Sequence, residues 1–124
     1  MKKVLIKVFV LLLWLSAVFS SCQKQNTVGV KYIVSKASSV YELQYRNQDG
    51  SLLNVEVNPN SGEDVWEYNF IAEEGQVVYL SAKYFDINTI INIQILIDGM
   101  VFKQTEENGD SLKYIVVSGV VPIK

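Results

Sequence analysis

Residues 89–105 run Thr89-Ile90-Ile91-Asn92-Ile93-Gln94-Ile95-Leu96-Ile97-Asp98-Gly99-Met100-Val101-Phe102-Lys103-Gln104-Thr105. Ile91, Ile93, Ile95 and Ile97 recur at every second position, the period of a strand with one buried face and not the three-to-four spacing of a helix. The run stops at Asp98-Gly99, a pair that accepts positive φ at both central positions of a primed turn, and a second strand-like run starts at Met100. A two-residue hairpin is expected here, and with it an all-β protein.

The same pattern extends outward in both directions. Strands are expected over 28–35, 40–47, 52–58, 65–72, 76–84, 89–98, 100–105 and 112–121, separated by Gly, Asn, Asp and Ser. Asp49-Gly50 and Asn108-Gly109 are turn pairs of the same kind as Asp98-Gly99. Four alternating rows should face inward: Val28, Val30, Tyr32 and Val34; Tyr41, Leu43 and Tyr45; Trp66, Tyr68, Phe70 and Ala72; and the isoleucine row. Two facing sheets would use all four. Seven to eight short antiparallel strands in about 100 residues is the pattern of an immunoglobulin-like β-sandwich, with a small β-barrel as the alternative.

The N-terminus carries a different signal. Met1-Lys2-Lys3 leads an apolar run from Val4 to Val18 that ends at Phe19-Ser20-Ser21-Cys22. The basic start, the apolar stretch and the small residues before a cysteine read as a bacterial lipoprotein signal peptide. The run is shorter than the roughly 20 residues that cross a bilayer, and Lys7 interrupts it. Cleavage after Ser21 and acylation of Cys22 are therefore expected. Residues 1–21 form the signal, 22–27 a polar tether and 28–124 a single β domain.

Composition narrows the function. Three of the eleven basic residues and none of the thirteen acidic ones fall in the signal, so the remainder carries eight against thirteen, a formal charge of −5. A basic footprint for nucleic acid is absent. The chain has no histidine, and its one cysteine is committed to the lipid, so ordinary nucleophile–base pairs cannot be assembled and no disulfide can form. Its carboxylates fall at turns (Asp49, Glu63, Asp64, Glu73, Glu74, Asp86, Asp110) or on outward strand positions (Glu42, Glu56, Glu67), where solvation explains them better than catalysis. Asp86, Asn88, Asp98, Asn108 and Asp110 match no calcium-loop spacing. The expectation is a protein without enzyme activity, metal or cofactor.

One feature exceeds a plain sandwich. Ile33, Val77, Tyr79, Ile90 and Leu96 are apolar at positions that should face away from the core. They form a candidate interaction patch, with Tyr79 as its anchor, since tyrosine couples a large apolar area to a polar tip.

With the strands placed, Val30-Lys31-Tyr32-Ile33-Val34, Glu42-Leu43-Gln44-Tyr45-Arg46-Asn47, Trp66-Glu67-Tyr68, Val78-Tyr79-Leu80-Ser81-Ala82 and Ile95-Leu96-Ile97-Asp98-Gly99 follow in an order that resembles the MmpS-like domain. The resemblance covers most of residues 28–118 and implies a small β-sandwich of the bacterial envelope. Some members are accessory partners of RND-type exporters, and similar domains occur as Ser-Ser-Cys lipoproteins in Bacteroidota. Mycobacterial members resemble proteins with a retained transmembrane helix and a cysteine pair in the domain, whereas this chain has the Ser-Ser-Cys signal and no such pair.

Two functions follow as expectations. The first is a lipid-anchored protein that binds another envelope protein, a transporter among the candidates. The second is a carrier of a small apolar ligand or lipid between its sheets. Gln23-Lys24 after the cysteine, without an acidic cluster, points to the outer membrane facing the periplasm.

Overall fold

The computed structural model describes residues 26–86, 88–107 and 114–123. Its elements are β1 (Thr27–Ser35), β2 (Tyr41–Arg46), β3 (Leu52–Val57), β4 (Trp66–Glu73), β5 (Val77–Tyr84), β6 (Ile91–Ile97), β7 (Met100–Glu107) and β8 (Tyr114–Val120). They form two four-stranded antiparallel sheets ordered β4-β1-β6-β7 and β3-β2-β5-β8, so the chain folds as a sandwich and not as a closed barrel. Cys22, Asn108 and Gly109 lie outside the described residues.

Turn chemistry sets the two hairpins within the sheets. At β6–β7 both Asp98 (φ 50°) and Gly99 (φ 81°) take positive φ, as a primed turn requires. The β2–β3 hairpin differs from the expectation of positive φ at both Asp49 and Gly50, because only Gly50 (φ 79°) adopts it. There the Asn47 side chain accepts the N–H groups of Asp49 and Ser51, each at 3.0 Å, and Gly50 N–H donates to Asn47 O at 3.0 Å. That side-chain cap fixes a longer turn in which a single residue needs the left-handed region.

All four expected rows face the core. Val30, Tyr32, Val34, Tyr41, Leu43, Ile91, Ile93 and Ile95 are almost wholly buried, joined by Val78, Leu80, Ala82 and Tyr84 of β5. The two long edges of the sandwich differ. Between β7 and β8 the ring of Phe102 lies so close over Gly119 that a Cβ there would come within 2.7 Å of its Cε1. Between β3 and β4 the edge is less covered. Leu53 stays 37% exposed, and Trp66, expected inside, is only half-buried although it faces inward with Tyr68. Both β3 and β4 end their sheets, so no further strand covers these side chains. Aromatic contacts partly compensate: Trp66 packs against Tyr45 at 5.2 Å, and Tyr68 against Tyr45 at 4.9 Å.

Tyr32 pins the two sheets together. Its hydroxyl donates to Arg46 O at 2.7 Å and accepts the N–H of Tyr79 at 3.3 Å. The β2–β5 ladder ends at Tyr45 and Leu80, one residue before Arg46 and Tyr79. The phenol of the opposite sheet therefore links two backbone groups just where their ladder stops.

Burial also leaves an electrostatic mark. Loss of water pushes the hydroxyls of Tyr32 and Tyr41 up from 10.0 to about 12, and for Tyr41 the charge of Asp64 adds to the effect. A folded-state value above the unfolded one means the contribution is intact below the unfolded value and is lost as pH rises through the folded one. The melting temperature should therefore fall between pH 10 and about 12 as these two groups ionise. A tyrosinate absorbance titration run beside the melts checks this; complete ionisation near pH 10 with the fold intact would contradict it.

Candidate functional site

The outward face of the β3-β2-β5-β8 sheet divides into two halves. On β2 and β3 it is mainly polar, with Glu42 and Gln44 facing Glu56 and Asn54, although Leu52 opposite Arg46 is apolar. On β5 and β8 it is more apolar, although Lys83 and Ser118 are exposed polar residues within it. Val77 pairs with Val120, Ser81 with Val116, and Lys83 with Tyr114. Val77, Val120, Val116 and Tyr114 are 47%, 54%, 41% and 48% exposed. A solvated antiparallel face ordinarily carries polar residues at such positions.

Tyr79 and Tyr114 tie this half together, their hydroxyls 3.0 Å apart. Ser81 lowers the Tyr79 hydroxyl, but hydrogen bonding to Tyr114 and burial outweigh it and leave the group raised. Tyr114 is lowered, first by Ser81 and then by Tyr79. The pair thus sits among Ser81, Lys83 and Ser118, with Val77, Val116 and Val120 as the apolar part of the surface, and the Tyr79 backbone is held from below by Tyr32.

The five residues expected to make one patch do not come together. Val77 and Tyr79 belong to β5, whereas Ile33 and Leu96 lie on β1 and β6 of the other sheet. Outward residues of the two sheets point to opposite sides of a two-layer molecule. Ile33 and Leu96 are diagonal neighbours there, since Lys31 pairs with Leu96 and Ile33 with Gln94. Ile90, 44% exposed, precedes β6. The expectation of one surface is corrected to two faces, of which the β5/β8 half is the more apolar. Tyr114, Val116 and Val120 were missed because β8 carries apolar residues on both faces: Ile115 and Val117 are its buried counterparts.

The Asp98-Gly99 turn is built into the frame. Asp98 Oδ1 accepts Gly29 N–H at 2.9 Å, and Asp98 N–H donates to Gly29 O at 2.8 Å. Beside it lies a surface recess of about 520 Å³ that includes Gly29, Ile71 and Leu96. A smaller recess of about 200 Å³ opens at the other end, under the β3–β4 connection. Among the described residues no group of three or more His, Cys, Asp or Glu side chains is placed to hold a metal ion.

Neither a protein-family model nor a curated protein sequence matches this chain.

Proposed function

We propose that this protein is a non-enzymatic, lipid-anchored component of the bacterial cell envelope that binds another envelope protein through the outward face of β5 and β8. The observation that carries the reading is the group of exposed apolar side chains, Val77, Tyr114, Val116 and Val120, beside the Tyr79–Tyr114 hydroxyl pair, on a sheet face whose other half is largely polar. Exposed apolar side chains beside a tyrosine pair suit a protein interface, where tyrosines concentrate binding energy. The lipid at Cys22 would hold the domain at the outer membrane, facing the periplasm. An RND-type exporter is the partner class that the MmpS-like resemblance favors.

A photo-crosslinking residue placed at Val116 should trap the partner in intact membranes, and the same residue at Glu56 on the polar half should not. Tyr79→Ala should reduce the adduct at Val116 by about tenfold or more, the scale of an interface hot spot, while the domain stays folded with a stability loss of about 1 kcal/mol from the Tyr79–Tyr114 hydrogen bond. An undiminished adduct in the Tyr79→Ala protein would rule out this face as the interface.

A further inference from the structure

The recess under the β3–β4 connection lies at the opposite edge of its sheet from β8. Its volume of about 200 Å³ is small for a drug-sized ligand and suited to the head of a single side chain. Tyr41, Val57, Pro59 and Trp66 supply aromatic and apolar walls, and Asp64 is the one charged residue among those lining it. The carboxylate is held in place: Oδ2 accepts Asn60 N–H at 2.7 Å, while Asp64 N–H donates to Ser61 O at 3.1 Å. A carboxylate so fixed retains acceptor capacity, because its two oxygens offer about four lone-pair sites.

No neighbouring cation among the described residues neutralises it. The connection passes Lys36, whose backbone oxygen would be 3.5 Å from a Cβ on Gly62, but the Lys36 ammonium is turned to Glu106 at 2.8 Å. The field of Asp64 also reaches into the recess, since it helps to keep the buried Tyr41 hydroxyl protonated.

We propose that this recess binds a guanidinium group, with Trp66 as the aromatic wall and Asp64 as the charge partner. A guanidinium is planar, weakly hydrated and forked, so one group can lie against an aromatic ring and bond a carboxylate in the same pose. An ammonium has neither the plane nor the fork. The site is independent of the β5/β8 face, so either can fail alone.

The test uses the lipid-anchored protein purified in detergent, in which loss of residues 1–21 leaves Trp66 as the sole indole. Capped arginine, Nα-acetyl-arginine methylamide, should change Trp66 emission saturably in the millimolar range. Capped citrulline, the same shape without charge, should not. Asp64→Asn keeps an acceptor for the Asn60 N–H and should weaken the arginine response by about tenfold or more, the loss of a charge-assisted pair, with the melting temperature unchanged. Free arginine distinguishes the source: an equal or weaker response than the capped form identifies an arginine side chain on a polypeptide, and a stronger one a free solute. Equal responses to arginine and citrulline, or an Asp64→Asn protein that binds as well as the parent, would each overturn the proposal.

Discussion

Tyr32→Ala is expected to remove most of the stability of the domain. The side chain is wholly buried, touches Tyr45, Tyr68 and Phe70, and bridges the sheets through its hydroxyl. Truncating a buried aromatic ring costs about 3–5 kcal/mol, and leaving Arg46 O and Tyr79 N–H unpaired adds about 1–3 kcal/mol. A domain of this size has about 5–15 kcal/mol in total. Urea denaturation followed by far-ultraviolet circular dichroism measures the loss. Tyr32→Phe separates the two contributions, because it keeps the ring and deletes only the bridge; a loss of about 1–3 kcal/mol is expected from the unpaired backbone groups. A Phe variant as stable as the parent would show that β2 and β5 close their own ladder once the phenol is gone.

Cys22→Ala should abolish membrane attachment altogether. Each acyl chain buries roughly 14 methylenes at about 0.8 kcal/mol apiece, so two or three chains hold a protein in the bilayer without help from its surface. Fractionation should move the variant from the membrane to the soluble periplasm, and labelled palmitate should enter the parent only. Equal labelling of the variant would remove the anchor from the proposed function, since the mature sequence would then carry the attachment elsewhere.

The fold was legible where one face of a strand is apolar and the other is not. The isoleucine row of β6 and the Val-Tyr-Val row of β1 give their inward faces by period alone, and Asp98-Gly99 announces its hairpin. Sheet membership was not legible, because β5 and β6 follow one another with similar alternation yet join different sheets. That is why Tyr79 and Leu96 looked like neighbours. Nothing in Trp66-Glu67-Tyr68 marks β4 as the end of its sheet, so full burial of Trp66 was expected where half-burial is found. The Asp64 recess was also hidden. It needs Tyr41, at the start of one strand, to meet Asp64 and Trp66 across a connection whose path only the assembled sandwich defines.

The position of β1 has a mechanical consequence. It lies between β4 and β6, antiparallel to both, and the chain enters it at Asn26. A pull at Asn26 directed along the strand axis would run across the hydrogen bonds of both ladders. They are loaded in shear, all together, and do not unzip one after another as they would at a hairpin end. The Glu74 N–H bond to Asn26 O, at 3.2 Å, is the first to feel the force. Beyond it a load along β1 is met by the whole central strand at once, so a domain pulled in that direction resists as a clamp and is expected to fail in a single abrupt step.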